Sequence, residues 1–246
     1  MRYLILSDLH ANWEALDAVI HEAAGRYDRG ICCGDLIGYG ADPNPVVDWA
    51  RANCCITVRG NHDKASVGLD DLEWFNPVAK NAALWTQRTL TPENADWVRN
   101  LPTGPIDIED FRILHGSPVD EDEYVIAATE AGQAFAYLQR RVAFFGHTHV
   151  QGGFIWNHSR VETIPRIPAR SDRQVLEIDP DCAYLLNSGS VGQPRDGDPR
   201  AAFAVYDSGA HMITYFRTEY DITAAQKKIR DAGLPDVLAD RLVLGR

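Results

Sequence analysis

Tyr3-Leu4-Ile5-Leu6-Ser7-Asp8-Leu9-His10 runs four apolar residues together and then turns polar. A short apolar run that ends in turn chemistry reads as a buried strand. Beyond it, Trp13, Leu16, Val19, Ile20 and Ala23 recur at helical spacing, with Asn12 placed to cap that helix. Gly30 to Cys33 reads as a second strand, Pro43 to Ala52 as a helix and Cys54 to Val58 as a third strand. This alternation predicts an α/β layered fold with short crossover connections.

The pattern continues outward. Residues 76–101 read as helical, and Thr91-Pro92-Glu93 starts a new helix with proline where the missing N–H costs nothing. Pro105 to Glu109 and Phe111 to His115 read as two strands joined by a tight turn. Thr129 to Arg140 reads as a helix and Val142 to Phe145 as a buried strand. Past residue 150 the chain becomes strand-rich, at Phe154–Trp156, Val175–Ile178, Tyr184–Leu186, Ala202–Tyr206 and Met212–Phe216. A closing helix spans Asp221 to Ala232, with Asp221 as its cap. A second sheet packed on the first, with helices outside, uses all these elements within a single domain over residues 1–246.

Composition narrows the function. Lys plus Arg number 24 and Asp plus Glu 35, a formal charge of −11. An acidic chain gives no long-range attraction to polyanions. Nucleic acid is therefore expected only as a substrate held by local cations or metals. No apolar run is long enough to span a membrane, and the first residues lack a signal-peptide layout. The five cysteines fall as Cys32-Cys33, Cys54-Cys55 and Cys182, a poor disulfide framework. Strand alternation sends the members of each pair to opposite faces, so they read as small core residues in a reducing, cytoplasmic compartment.

Residues with metal-ligand chemistry fall repeatedly just after apolar strands. Leu4-Ile5-Leu6 leads to Asp8 and His10, and Ile31-Cys32-Cys33 leads to Asp35. Ile56-Thr57-Val58 leads to Asn61, His62 and Asp63, Ile113-Leu114 to His115, and Phe144-Phe145 to His147 and His149. Ligands of open α/β sheets gather beyond the carboxyl ends of strands, so five such loops can converge on one point. Two aspartates, four histidines and one asparagine suit first-row metals such as Mn, Fe, Zn, Ni or Co. Seven side chains exceed one tetrahedral site and match two metals sharing a carboxylate. Gly34, Gly60, Gly116 and Gly146 beside these residues are expected to allow turns that a side chain would hinder.

In this order, Asp8-x-His10, Gly34-Asp35, Gly60-Asn61-His62-Asp63, His115 and Gly146-His147-x-His149 resemble the motif series of the calcineurin-like metallophosphoesterase superfamily. The resemblance implies a four-layer α/β/β/α sandwich of two packed mixed sheets flanked by helices. It implies a phosphodiesterase or phosphatase that uses a metal-bridging hydroxide at a dinuclear site, with Mn, Fe or Zn as the two ions. By the same resemblance Asp8, His10, Asp35 and His149 hold one ion, while Asn61, His115 and His147, with the bridging Asp35, hold the other. His62 would contact the phosphate and help protonate the leaving group, and Asp63 would orient His62 by a hydrogen bond.

Protein Ser/Thr phosphatases of the superfamily carry Gly-Asp-x-x-Asp-Arg-Gly and Gly-Asn-His-Glu. Here Gly34-Asp-Leu-Ile-Gly-Tyr-Gly40 puts Tyr39 in place of that arginine. With Gly189-Ser-Val-Gly-Gln-Pro-Arg195 and Gly197-Asp-Pro-Arg200, this looks more like the small bacterial, phosphodiesterase-like branch. The implied substrate is a phosphoester small molecule or nucleotide. Arg195 and Arg59 each read as a phosphate contact or a structural salt bridge, and Tyr39 as a pocket wall or a packing residue. Arg160, Arg166, Arg170 and Arg173 form a local basic stretch that reads as a solvated loop or an anion-binding segment. The alternative to an enzyme is a catalytically silent binding or scaffold protein on the same fold.

Overall fold

The computed structural model describes every residue except Trp74 and Ala169. In the first half, strands β1 (Arg2–Leu6), β2 (Arg29–Cys32) and β3 (Cys54–Thr57) alternate with helices α1 (Trp13–Ala23) and α2 (Pro43–Asn53). Three helices follow, α3 (Asn61–Ser66), α4 (Pro77–Thr89) and α5 (Pro92–Arg99). Strands β4 (Ile106–Ile108) and β5 (Phe111–Ile113), helix α6 (Ala128–Phe135) and strand β6 (Val142–Phe145) come next. The strand-rich half holds β7 (Gly152–Trp156), β8 (Val161–Ile164), β9 (Arg173–Glu177), β10 (Ala183–Asn187), β11 (Ala201–Asp207) and β12 (Met212–Thr218). Helices α7 (Ile222–Asp231) and α8 (Asp236–Asp240) and a 3-10 turn over Arg241–Leu244 close the chain.

The strands form two mixed sheets, ordered β3-β2-β1-β11-β12-β9 and β4-β5-β6-β10-β7-β8. β1, β2 and β3 run parallel in the first sheet, and β5, β6 and β10 run parallel in the second. Period-two alternation explains the layering. Tyr3 and Ile5 face the second sheet and meet Phe111, Phe144 and Tyr206, whereas Leu4 and Leu6 face outward beneath Leu16, Val19 and Val47. Cys32 and Cys33 divide between the same two faces, and all five cysteines are free. Ala131, Ala134 and Phe135 of α6 cover the outer face of the second sheet against Ala143, Phe145 and Leu185. The result is the expected α/β/β/α sandwich.

The expected caps form. Asn12 Oδ1 accepts from Ala15 N at 3.1 Å, Thr91 Oγ1 from Asn94 N at 3.3 Å, and Asp221 Oδ1 from Ala224 N at 2.9 Å. Several details differ from the sequence reading. Helix α6 stops at Phe135 rather than Arg140, because Ala136, Tyr137 and Leu138 tighten into three-residue turns that drop the chain into β6. The short helix α3 was not expected, since six residues carry too little periodicity to read. The basic stretch is neither one loop nor one patch, for β8 lies within it. Arg160 pairs with Glu162 at 2.9 Å, Arg166 donates to the Asp196 carbonyl, and Arg173 begins β9.

Candidate metal centre

Five strand ends deliver the side chains. Asp8 and His10 follow β1, Asp35 follows β2, Asn61 and His62 follow β3, His115 follows β5, and His147 and His149 follow β6. All but the half-buried Asn61 are buried. Ligand atoms of Asp8, His10, Asp35 and His149 lie within 4.8 Å of one another, and so do those of Asp35, His115 and His147. Asp35 belongs to both groups. Its Oδ2 lies 3.6 Å from His10 Nε2 and 3.5 Å from His115 Nε2. Asn61 Oδ1 sits 3.4 Å from His115 Nε2, which adds its amide oxygen to the second group.

The tautomers follow from the carbonyls around the rings, since a carbonyl oxygen only accepts. Nδ1 of His10, His115 and His149 therefore donates to the carbonyls of Ile37, Cys33 and Gln193, at 3.1, 2.8 and 2.6 Å. His147 donates Nε2–H to the Asp122 carbonyl at 3.0 Å. Each ring spends its one proton on the backbone and turns a lone pair inward. The Nε2 atoms of His10 and His149 face each other at 3.0 Å. Asp8 Oδ2 and Asp35 Oδ2 are buried with no hydrogen-bond partner. Lone pairs and carboxylate oxygens crowded together without donors require positive charge, so these residues fit two cations.

Titration behaviour agrees for three of the four rings. Burial holds His10 and His149 well below the usual imidazole range and His147 at about 3, so all three stay neutral and able to ligate. His115 is the exception: burial acts to lower it, yet the Asp35 and Asp8 carboxylates outweigh burial and push this ring up to about 10, so without an ion it holds a second proton toward Asp35 that a metal would displace. Burial pushes Asp8 up to about 7. Burial would raise Asp35 too, but His115, His62 and His10 hold it well below the usual carboxylate range.

The backbone is bent to achieve this. Asp8, His10, Asp35, His147 and His149 all have φ between 46° and 66°, the left-handed region that non-glycine residues avoid. Among the glycines expected to turn the loops, only Gly34 is left-handed, with φ 98°. At Gly60 and Gly146 the requirement is room. A Cβ there would lie 2.1 Å from Asp35 Oδ1 and 1.9 Å from Ser7 Oγ.

His62 lies beside both groups. Its ring packs on Tyr39, His10 and Phe75, with centroids 4.2, 5.1 and 5.2 Å away, and burial lowers it to about 4. The hydrogen bond expected from Asp63 is not made. Asp63 Oδ1 accepts from Ile37 N at 3.2 Å and Oδ2 from Gly60 N at 3.0 Å, while His62 Nδ1 has no partner. Asp63 therefore ties two ligand loops together instead of aiming the ring. Arg59 is structural, paired with Glu121 at 2.7 Å. Tyr39 is buried as a wall against His10 and His62, and Arg195 Nη2 donates to its hydroxyl at 3.3 Å.

Several contributors carry no metal-ligand chemistry. Ser190 Oγ and Gly192 N donate to the Asp8 carbonyl at 2.8 and 3.0 Å. Buried Gln151 donates to the carbonyls of Ser188, Phe203 and Phe216 and accepts from Arg217. Tyr124 stacks on His147 at 3.8 Å and lines a cavity of about 600 Å³ with Val125, Val150, Phe154 and Arg195.

Comparison with known proteins agrees with this geometry. A metallophosphoesterase from Sphaerobacter thermophilus superposes with a TM-score of 0.87 at 39% identity, covering 100% of this chain and 99% of that one. An uncharacterized protein of Methanocaldococcus jannaschii is 34% identical across 98% of this chain and 97% of its own length. A hypothetical protein from Pyrococcus horikoshii shares the fold, with a TM-score of 0.80 at 17% identity over 100% of this chain and 98% of that one. No helix among the described residues is long and apolar enough to cross a membrane. Residues 1–210 match the calcineurin-like phosphoesterase superfamily domain, and with two adjacent Asp/His groups at the strand ends the chain belongs to that superfamily as a dinuclear metal-dependent hydrolase.

Proposed function

We propose that the protein hydrolyses a phosphoester of a small molecule or nucleotide, in the cytoplasm, as a phosphodiesterase-like member of its superfamily. Asp35 carries the reading, because one carboxylate stands in both ligand groups. Asp8, His10, Asp35 and His149 would hold one ion, and Asp35, Asn61, His115 and His147 the other, with Mn, Fe or Zn as the metals. Such ions supply Lewis acidity at the phosphoryl oxygens and an acidified water.

The chain's own residues do the rest. His62 donates a hydrogen bond from its ring N–H to the leaving oxygen, from a ring wedged by Tyr39 and Phe75 so that little reorientation is needed. Asp63 keeps the loops of Gly60 and Ile37 in register beneath it. Arg195 and Tyr39 border the substrate. The cavity of about 600 Å³ is of the size that accepts a small organic group. Residues 1–246 act as one domain, for α7 and α8 pack on Tyr39 itself.

Purified protein loaded with each metal in turn is expected to cleave an aryl phosphate monoester or diester. His62→Ala should lose about 10²–10⁴ in turnover while its metal content stays at the wild-type level. Equal turnover in the two proteins would remove the role given to His62. Full metal loading without turnover for any metal would favour the silent scaffold.

A further inference from the structure

Arg195 and Arg241 reach one aromatic ring from different parts of the chain. Their guanidinium carbons lie 5.7 and 5.1 Å from the centroid of Tyr39. They also share an acceptor, for Gln193 Oε1 takes Arg195 Nη2 at 3.3 Å and Arg241 Nη1 at 3.2 Å. Among the described residues no carboxylate oxygen lies within 4.0 Å of either guanidinium. Most other arginines close to acidic loops are paired, as Arg59 is with Glu121 and Arg217 with Asp196.

Two like charges at one neutral oxygen repel each other. Burial, and with it the charge of Arg195, lowers Arg241 from its ordinary value. The arrangement is nonetheless firmly held. Leu238, Ala239 and Leu242 around Arg241 are buried in the same apolar cluster as Tyr39, and Gly197 N donates to the Gly245 carbonyl at 3.0 Å. The 3-10 turn thus presents Arg241 at the edge of the site where Tyr39 packs on His62. Arg241 lies beyond the residues 1–210 that match the family domain. An anion between the two forks would relieve the repulsion, and planar guanidinium groups match phosphate oxygens in pairs.

We propose that Arg195 and Arg241 form a two-guanidinium clamp for a doubly charged phosphate group, so that the substrate is a phosphomonoester or a nucleotide with a terminal phosphate. The substrate assignment rests on the hydrolase reading above, but the clamp can be tested without turnover. Metal-loaded wild type, Arg241→Gln and Arg241→Lys are titrated calorimetrically with inorganic phosphate and with dimethyl phosphate, which carries one charge.

Arg241→Gln should weaken phosphate binding by about 10–100-fold, with dimethyl phosphate much less affected and Arg241→Lys in between. The KM for p-nitrophenyl phosphate should rise by the same factor with kcat nearly unchanged, and that for bis(p-nitrophenyl) phosphate should move little. Wild-type phosphate affinity in Arg241→Gln, or equal losses for both anions, would overturn the clamp. Should the glutamine variant not fold, wild-type phosphate affinity in Arg241→Lys would overturn it instead, because lysine cannot reproduce the fork. Loss of phosphate affinity in a protein without turnover would sink the hydrolase reading and leave the clamp standing.

Discussion

The interface between the two sheets and the loops at its edge follow opposite rules. Between the sheets, Tyr3, Phe111, Phe144 and Tyr206 meet ring to ring at 4.9–5.6 Å from ordinary extended strands. At the strand ends, five proposed ligands sit in left-handed backbone, and two buried carboxylate oxygens have no donor. The rings satisfy one another by exclusion of water, whereas the loop groups are satisfied only by a cation. The sandwich therefore holds the strained loops in place, and the loops return little to its stability until an ion is present.

Asp8→Asn should break that contrast most sharply. Hydrolysis should fall by about 10³-fold or more with the loss of one ligand group. The ion-free variant should melt higher than ion-free wild type. The sign follows from burial. The Asp8 carboxyl is raised to about 7 in the fold, so the folded state loses stability as pH rises through 7, and asparagine removes that loss. Melting curves at pH 5 and pH 8 check it, with the gain expected at pH 8. A gain confined to pH 5 would show that Asp8 is not the buried charge that matters.

Phe144→Ala attacks the other side. It should cost about 3–5 kcal/mol in denaturant unfolding, while folded protein keeps its metal content and its kcat. A large drop in kcat per folded molecule would mean that the sheet interface and the loops are not separable.

Asp63→Asn lies between the two regions. Losing one of two backbone acceptors should cost about 1–3 kcal/mol, with a modest fall in kcat. The His62 ring should keep its own titration in an NMR pH series, because Asp63 makes no hydrogen bond to His62. A shifted His62 titration would restore the orienting role expected from the sequence. Arg160→Ala should be smallest, under about 1 kcal/mol and without effect on KM, because its exposed pair with Glu162 belongs to neither region.

Much of both regions was legible beforehand. Strand runs and helix caps read correctly because period and capping are local. The residues of the two Asp/His groups are legible because each follows an apolar run, and parallel strands place such positions on one edge. Asp63 was misassigned because adjacency to His62 in sequence says nothing about which amides its carboxylate reaches. The length of α6 was overestimated because apolar spacing continues past the point where the chain must turn into β6. Gln151 and Tyr124 gave no signal, for glutamine and tyrosine are common surface residues until a fold encloses them.

The layered fold and the two Asp/His groups are readable from residue types at short, fixed spacing. How those side chains are arranged against one another depends on packing. It gave Asp35 to both groups, turned each histidine's lone pair inward through a backbone carbonyl, and withdrew Asp63 from His62. It also brought Arg241 from the end of the chain to Tyr39 and Gln193. These are contacts between residues far apart in the chain, and packing sets them where local periodicity cannot.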